Sequence, residues 1–320
     1  MSSRMSGEFR HMYVYACHDT ERELCELEML RLFDTRPHTS SLLAANRLIA
    51  PDVSPFIRLR LDVLTAVSDL DELAVSASEL VLEEGTTFKV TFIKEGDGTE
   101  EYTRQREIER EIGLRIRGKA KMKEPAVVFG VIRFKGQWLL GRCVYSDRSW
   151  LERRHKPQNY STGLPVLAAK ALVNLAAPYP EAVRLLDPCC GMGNVVIEAL
   201  MNGIDIRGND MNPRAVQGAR VNLRHYGFRE DLVTLGDMNL LEGRYDTAIL
   251  DMPYNLCSVL TQPERARMLN SLRRLAVEAV VVSIEPIRAE LLAAGWKIEG
   301  ECRLYKGERG GMIRDIYFCK

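Results

Sequence analysis

The sequence predicts an α/β protein whose larger part, residues 151–320, is a Rossmann-like, doubly wound domain built on a seven-stranded sheet. Two observations lead to this prediction. From residue 183 onward, apolar segments typical of buried strands alternate with helical or loop segments. The first apolar segment ends on Asp187 and continues through a glycine-containing loop into a helix. In such folds, nucleotide-like ligands lie beyond the carboxyl ends of the parallel strands.

The first half of the chain predicts a smaller α+β region. Alternating or helically spaced apolar residues predict six elements before residue 150: a strand at 12–16, a helix at 21–33, a strand at 88–93, a helix at 107–116, and strands at 127–134 and 138–144. The last two strands are close enough to form a hairpin across Lys135 and Gly136. We therefore expect two compact lobes before residue 150.

The second half opens with an apolar helix at 164–177, which Pro178 ends. Five strands are then expected to form a parallel sheet: 183–187, 204–208, 231–235, 246–250 and 279–284. The final segments, 297–305 and 312–318, flank a turn at 307–311 and predict an antiparallel hairpin. Adding that hairpin to the five strands gives seven strands with an antiparallel edge.

Charge is distributed unevenly along a chain whose net charge is zero. Residues 102–156 carry 15 Lys and Arg against 6 Asp and Glu, whereas residues 1–101 carry 10 against 19. A basic segment beside a ligand-binding domain is typical of a protein that binds nucleic acid. Acidic residues interleave with the arginines of 104–111, which fits a solvated helix face equally well.

The eight cysteines are scattered and form no CxxC pair, which favours the reducing cytoplasm over a disulfide framework. Cys189 and Cys190 are adjacent, but no histidine stands near them at ligand spacing. We therefore predict no metal site. The chain has no apolar run long enough to span a bilayer and no secretory signal at its amino terminus, so no membrane partner is expected.

The loop at 187–193, Asp-Pro-Cys-Cys-Gly-Met-Gly, indicates the kind of cofactor. Dinucleotide sites need a third glycine so that the backbone can approach a pyrophosphate, and the equivalent position here is Val196. The loop instead begins with a carboxylate, which suits a cationic ligand that carries no phosphate. S-adenosylmethionine, with its sulfonium and ammonium groups, is such a ligand and is the predicted cofactor.

Aspartates follow four successive predicted strands: Asp187, Asp210, Asp237 and Asp251. A single aspartate at a strand end is usually a turn former, but four along one sheet edge would face one crevice. We expect Asp210 to accept the two ribose hydroxyls and Asp237 to accept the adenine amino group. The predicted cofactor site comprises Asp187, Cys189, Gly191, Gly193, Asn209, Asp210, Met211, Asp237 and Met238.

Residues 251–254, Asp-Met-Pro-Tyr, predict the acceptor chemistry. The amino nitrogen of a nucleobase is a poor nucleophile, because its lone pair is delocalised into the ring. A carboxylate and a backbone carbonyl that accept the amino protons draw this nitrogen toward an attacking geometry. Asp251, Pro253 and Tyr254 are therefore the predicted catalytic residues, with Tyr254 stacking on an extruded base. A proline turn with a core tyrosine is the alternative interpretation.

On these motifs, residues 155–320 resemble the catalytic domain of the THUMP-containing tRNA guanine-N2 methyltransferases. Members of that family typically have Asp-Pro-Phe-Cys-Gly-Thr-Gly and Asp-Pro-Pro-Tyr where this chain has 187–193 and 251–254. The resemblance implies a class I methyltransferase domain at 151–320. It also implies a ferredoxin-like lobe at 1–60 and a THUMP-like domain at 61–150, which together grip tRNA. Similar features in that region are 88–92, Tyr102, Arg104, 113–116 and 139–142.

Two positions depart from the family pattern. Met252 replaces a proline, which we expect to loosen the loop that holds the acceptor carbonyls, and Asn255 stands where glycine is common. In enzymes that this chain resembles, an aspartate at the first position accompanies guanine N2 and an asparagine accompanies adenine N6. Asp251 therefore favours guanine.

We therefore predict an S-adenosylmethionine-dependent tRNA methyltransferase that modifies an exocyclic base nitrogen, with guanine N2 favoured. RNA phosphates are expected along residues 102–156, including Arg153, Arg154, His155 and Lys156. Three alternatives remain open: ribosomal RNA as the substrate, adenine N6 as the target, and a catalytically silent RNA-binding protein. A helper subunit or a homo-oligomer also remains open.

Overall fold

The computed structural model describes residues 9–94, 100–159, 163–253, 260–306 and 312–320. These residues form two compact units that interleave in sequence. The first unit comprises residues through Ala16, Thr35–Asp52 and Phe56–Asp147. The second comprises Cys17–Asp34, Val53–Pro55 and Arg148–Lys320.

The first unit is built on one seven-stranded sheet with two helices. Its strands are β1 (His11–Tyr15), β2 (Leu42–Ala45), β3 (Ile57–Val67), β4 (Thr87–Phe92), β5 (Lys119–Ala120), β6 (Val127–Phe134) and β7 (Gln137–Tyr145), in the spatial order β2-β1-β3-β7-β6-β4-β5. Its helices are α2 (Leu70–Ser78) and α3 (Tyr102–Arg115). Apolar residues from both helices pack with those of β4 and β6 in one core cluster, which includes Leu73, Phe88, Ile108, Ile112 and Phe129.

The sequence missed four elements of this unit, namely β2, β3, β5 and α2. The strand β3 has alternating apolar residues, but it begins only two residues after Pro55, and a proline so close to a strand start obscures the pattern. The helix α3 also begins at Tyr102 rather than at the predicted Glu107. Its first turn contains exposed polar residues, so apolar spacing does not reveal it.

The second unit contains the predicted doubly wound domain. Its strands are β8 (Arg184–Asp187), β9 (Asp205–Asp210), β10 (Val233–Leu235), β11 (Tyr245–Asp251), β12 (Ala276–Ser283), β13 (Ile298–Lys306) and β14 (Met312–Cys319). Its helices are α1 (Arg22–Phe33), α4 (Val166–Ala176), α5 (Asn194–Met201), α6 (Pro213–His225), α7 (Gln262–Leu275) and α8 (Arg288–Ala293). The predicted turn at 307–311 lies outside the described residues.

The strand order β10-β9-β8-β11-β12-β14-β13 confirms the predicted sheet. The strands β8 to β12 are parallel to their neighbours within that group, and β14 runs antiparallel to both β12 and β13. The strand order reverses on either side of β8, which makes its carboxyl end a topological switch point. Asp187, the last residue of β8, therefore stands where a ligand is expected.

Helix α4 explains the long apolar stretch before the sheet. Ten of its eleven residues are buried, from Val166 to Ala176, and they include Lys170 and Asn174. Burial of polar and apolar residues alike shows that α4 lies inside this unit. Within the described residues, no helix has both the length and the apolar content required to cross a membrane.

The domain boundaries can be compared with the two units. The predicted boundary between residues 60 and 61 falls inside β3, which pairs with β1 on one side and β7 on the other. The predicted boundary between residues 150 and 151 lies three residues beyond the division after Asp147. As separate functional lobes, residues 1–60 and 61–150 remain a prediction.

Candidate active site

The loop after β8 is shaped by two glycines. Gly191 and Gly193 have φ angles of +53° and +81°, in the left-handed region that side chains other than glycine rarely adopt. A Cβ added to Gly193 would lie 3.4 Å from the Cβ of Ala219, so the loop also packs closely on α6. The Cys190 N–H donates to the carbonyl of Asn209 over 2.8 Å, which ties the loop to β9.

This loop forms one wall of a cavity of about 440 Å³ in the second unit. The cavity lies at the carboxyl ends of four parallel strands, and each end supplies an aspartate: Asp187, Asp210, Asp237 and Asp251. We call this cavity the carboxylate crevice. The predicted convergence of the four aspartates is therefore seen in the structure.

Two of these aspartates have their orientation fixed by backbone N–H groups. Asp210 accepts from the N–H of Gly191 and from the N–H of Asn212, each over 2.8 Å. Asp237 caps the short turn after β10, where its Oδ1 accepts from the backbone and side-chain nitrogens of Asn239 at 2.9 and 2.8 Å. Each carboxylate thus has a defined direction at the crevice wall.

The crevice concentrates four acidic side chains around one cavity. Burial raises the pKa of Asp187 well above its usual range, and the charges of Asp210 and Asp251 raise it further. Burial likewise raises the pKa of the Cys189 thiol, and all four aspartates of the crevice add to that shift. Such a site favours a cationic ligand, because a positive charge would relieve the repulsion among the carboxylates.

Asp251 ends β11 at the wall of the crevice. Burial raises the pKa of its carboxyl to about 7, while the positive charge of Arg314 acts in the opposite direction. Its Oδ1 is buried and has no hydrogen-bond partner among the described residues. Asp251 therefore offers an acceptor atom to whatever occupies the crevice.

The structure brings together most of the predicted site. Nine of the twelve predicted residues line the cavity: Asp187, Cys189, Gly191, Asp210, Met211, Asp237, Met238, Asp251 and Pro253. Gly193 and Asn209 lie behind the wall. The side-chain amide of Asn209 donates to the carbonyls of Pro188 and Gly236, at 3.2 and 2.9 Å, so it joins two loops. Tyr254, like Asn255, lies outside the described residues.

The expected loosening of the loop by Met252 stays a prediction, because residues 254–259 lie outside the described residues. The side chain of Met252 is only 3% exposed and belongs to the core cluster formed with α7. Its N–H donates to the carbonyl of Val282 over 2.9 Å, which continues the pairing of β11 with β12. A proline could not donate this hydrogen bond, so Met252 itself is held to β12.

Sequence reasoning missed several residues of the cavity wall, among them Leu164, Asn194 and Arg267. Asn194 begins α5, and its side-chain amide donates to the carbonyl of Leu164 over 2.6 Å. Its place directly after the glycine loop could have identified it. Arg267 lies on the polar face of α7, 4.0 Å from Asp237, and nothing in the sequence distinguishes it from other helix arginines.

Two of the basic residues expected to hold RNA phosphates are used inside the second unit, which corrects that expectation. Arg153 makes a two-pronged ion pair with Glu198, at 2.6 and 2.8 Å. Lys156 is 5% exposed, and its amino group donates to Asn159 over 2.7 Å. Arg154 and His155 are exposed, and the Arg154 guanidinium lies over the ring of Trp150. Single-sequence reasoning could not separate buried from exposed cations within one short run.

The crevice fits S-adenosylmethionine in charge and in hydrogen bonding. Two acceptor oxygens on its wall, Oδ1 of Asn194 and Oδ1 of Asp251, are buried and lack a donor within the described ranges. Acceptors without donors suit a ligand or substrate that carries ammonium and amino groups. No cluster of His, Cys, Asp and Glu suitable for a metal ion occurs among the residues that the structure describes.

Comparison with known proteins shows what this domain is similar to. Residues 153–279 match the model of the RMKL-like methyltransferase domain, and this range contains the whole glycine loop and all four aspartates of the crevice. This part of the chain is therefore similar to that methyltransferase domain. The match supports the predicted cofactor, since the crevice of this methyltransferase domain has the charge that S-adenosylmethionine requires.

Relatives of known name extend the comparison beyond the methyltransferase domain. The tRNA (guanine(10)-N2)-dimethyltransferase of Methanothermobacter thermautotrophicus is 31% identical over 174 residues, which is 51% of this chain and 51% of that protein. The enzyme of the same name from Methanocaldococcus jannaschii is 27% identical over 235 residues, or 67% of this chain and 64% of that protein. The resemblance predicted from the motifs is thereby confirmed. The chain spans about half the length of the first relative.

Among solved structures, TrmN from Thermus thermophilus aligns with 97% of this chain and 99% of its own, with a TM-score of 0.49 at 16% identity. The structure of SMU.472, described as a methyltransferase complexed with SAH, aligns with 97% of each chain, with a TM-score of 0.46 at 18% identity. Both likenesses are too distant to add a functional argument.

Proposed function

We propose that this protein transfers a methyl group from S-adenosylmethionine to the exocyclic N2 of a guanine in tRNA. The observation that carries the proposal is the carboxylate crevice, where Asp251 offers a buried acceptor beside a wall of cofactor-binding type. The names of the relatives support guanine, and they suggest position 10 as the first nucleotide to test.

The donor side of the crevice is assigned to the loop after β8 and to Asp210 and Asp237. S-adenosylmethionine would supply an electrophilic methyl group, and the four carboxylates would hold its positive charges. Asp210 is fixed by the N–H groups of Gly191 and Asn212, so both its oxygens keep one direction as they accept ribose hydroxyls. Fixed acceptors bind more tightly because little conformational freedom is lost.

The acceptor side is assigned to Asp251 and Pro253, with Tyr254 as the proposed stacking partner of the base. An ionised Asp251 would accept a hydrogen bond from the guanine amino group and so raise the electron density on its nitrogen. It would then hold the proton that leaves as the new N–C bond forms. A pKa of about 7 suits both tasks, since such a carboxylate can accept and release a proton near neutral pH.

The proposed RNA surface of the first unit is a basic strip around the edge strand β5. It consists of five exposed cationic residues at alternate positions, Arg115, Arg117, Lys119, Lys121 and Lys123. None of them pairs with an acidic side chain in the part of the chain that the structure describes. On α3, by contrast, Arg104 and Arg106 pair with Glu107 and Glu109, so the solvated-face interpretation applies there. Exposed cations spaced along this part of the chain can follow a phosphate backbone.

The cysteines support an intracellular setting for this activity. All seven cysteines that the structure describes are free thiols, and five of them are buried or lie in the crevice wall. We propose a cytoplasmic location, because free cysteines persist in a reducing compartment.

Methyl transfer to unmodified tRNA transcripts, followed by nucleoside mass spectrometry, tests the proposal. We expect N2-methylguanosine with the wild-type protein and a loss of at least about a hundredfold in rate with Asp251→Ala, because general acid–base groups contribute that much or more. The matched control is Asp246→Ala, which removes an exposed aspartate from the amino-terminal end of the same strand and should keep the rate.

Each other outcome identifies a different error. N6-methyladenosine as the product would replace guanine by adenine, and a product in ribosomal RNA but not in tRNA would replace the substrate. Failure to bind S-adenosylmethionine would favour a silent RNA-binding protein. A fully active Asp251→Ala protein would remove Asp251 from the mechanism.

A further inference from the structure

Arg314 is an unusual residue for the edge hairpin of this sheet. It lies on β14, it is 0% exposed, and it is among the largest fully buried side chains of the protein. A fully buried arginine is rare, because the desolvation of its charge is costly unless the charge serves a nearby anion.

The register of the sheet places Arg314 on the side of the crevice. Asp251 pairs with Val282 of β12, and Val282 pairs with Ile316 of β14, so these three residues form one row across the sheet. Arg314 is two residues from Ile316 and therefore lies on the same face as Asp251. Because β14 is antiparallel to β12, Arg314 lies beyond this row, toward the carboxyl edge where Asp251 ends β11.

At this position, the buried positive charge of Arg314 is close enough to act on the acceptor end of the crevice. Two strand spacings, about 10 Å, separate the backbones of β11 and β14, and an arginine side chain can span much of that distance. Asp251 lines the cavity, and Arg314 lies behind it in the protein interior. The charge of Arg314 lowers the pKa of Asp251, against the larger effect of burial.

We propose that Arg314 is a positioning residue for the reaction, one that keeps the Asp251 carboxylate ionised and directed toward the acceptor amino group. The inference rests on the proposed function for its chemical meaning. Only an ionised Asp251 has both oxygens free to accept amino protons, and the buried cation of Arg314 favours that ionised form. The other charged or titratable groups around the crevice are Asp187, Cys189, Asp210, Asp237, Glu264 and Arg267.

The test compares Arg314→Met with Arg314→Lys. For Arg314→Met we expect the acidic limb of the kcat–pH profile to move at least one unit toward higher pH, so that kcat at pH 6 falls about tenfold while the KM for S-adenosylmethionine stays within twofold. Arg314→Lys keeps a buried cation and should restore most of the profile. A carbon-13 titration of labelled aspartates, with the Asp251 signal assigned through Asp251→Asn, should show the same upward shift without any turnover.

Arg31→Leu is the matched control. The Arg31 guanidinium packs 4.0 Å from the centroid of the Phe318 ring, on the same face of β14 but four residues from Arg314. Its removal should lower the unfolding temperature and leave the pH profile unchanged.

An unchanged Asp251 titration in folded Arg314→Met protein would overturn the inference, as would a Lys variant no better than the Met variant. If the Met protein does not fold, the Lys variant decides alone: a profile shifted as far as one unit would overturn the proposal. An inactive wild type with the expected titration shift would instead reject the proposed function.

Discussion

The second unit contains buried carboxylates in two places, and the groups that surround them differ. In a helix-side cluster, the Glu198 carboxylate of α5 accepts two hydrogen bonds from the Arg153 guanidinium, at 2.6 and 2.8 Å. The Lys170 amino group lies 3.9 Å from the same carboxylate. Glu28 of α1 accepts from Ser54 and Asn174, each over 2.6 Å. In the carboxylate crevice, the aspartates instead face one another around a cavity, and Asp251 keeps an acceptor without a donor in the described ranges.

This difference separates scaffold from site. A buried carboxylate that has its own cations and donors joins helices together, and it has no capacity left for a ligand. Neighbouring carboxylates raise the pKa of Asp187, which destabilises the folded protein slightly, and a cationic ligand can recover that energy on binding. The comparison predicts that substitutions in the helix-side cluster lower stability, whereas substitutions in the crevice lower binding or turnover.

The largest expected effect is on stability, with Glu198→Ala. This change leaves Arg153 and Lys170 in a buried setting without their anion, which costs about 3 to 5 kcal/mol in comparable cases. Urea unfolding of the full chain measures the loss. The control is Glu230→Ala, which removes an exposed partner of Arg224 and should cost less than about 1 kcal/mol.

Equal losses from Glu198→Ala and Glu230→Ala would show that the helix-side cluster contributes no more than a surface ion pair. If Glu198→Ala yields no soluble protein, Glu198→Gln keeps the shape of the side chain and should still lose stability. Neither variant should change the affinity of the folded protein for S-adenosylmethionine by more than about twofold, since Glu198 does not line the crevice.

The next effect is on cofactor affinity, with Asp210→Ala. Removing this carboxylate deletes the acceptor assigned to the ribose, and hydrogen bonds to charged groups contribute about 1.5 to 3 kcal/mol, so affinity should fall roughly 10- to 100-fold. Calorimetric titration with S-adenosylhomocysteine measures the change. The matched control is Asp205→Ala, an exposed aspartate at the opposite end of the same strand, which should bind as wild type.

Asp210→Ala should not lower stability as Glu198→Ala does, because it removes a charge that acts unfavourably on Asp187. A variant that unfolds as readily as Glu198→Ala but binds the cofactor normally would reverse the comparison. Asp210 would then belong to the scaffold, through its hydrogen bond with the Gly191 N–H.

How much of this was open to prediction from sequence differs between the two places. The crevice aspartates follow apolar strands, and the parallel topology alone brings strand ends together, so the sequence identified all four. The helix-side cluster unites α1 with α4 and α5, and the contact of Glu28 with Asn174 spans 146 positions. No local pattern encodes such a contact. Arg314 left only a weak signal, a cation among the buried positions of an alternating strand.

The same limit applies to the first unit. Strands β6 and β7 were predicted because they join through a two-residue turn, and a hairpin is a local feature. Strand β3 pairs instead with β1 and β7, and its partners lie far away in sequence. Strand β3 forms because it pairs with these distant strands, and local sequence patterns do not indicate that pairing.

The smallest expected effect is a change in the pH dependence of stability, with Glu28→Gln. Burial raises the pKa of Glu28 to about 7, although Ser54, Asn174 and the charge of Lys170 act in the opposite direction. Below pH 4.5 the carboxyl is protonated in both states and costs nothing. As pH rises from 4.5 to 7, the unfolded chain loses its proton first, so wild-type stability falls across this window.

Glutamine keeps an acceptor for Asn174 and a polar contact to Ser54 but cannot ionise. The variant should therefore be at least about 1 kcal/mol more stable relative to wild type at pH 8 than at pH 4, as measured by urea unfolding at both values. Parallel curves for the two proteins would mean that Glu28 is ionised in the folded state, held so by Lys170, and that the helix-side cluster is satisfied by charge as well as by hydrogen bonds.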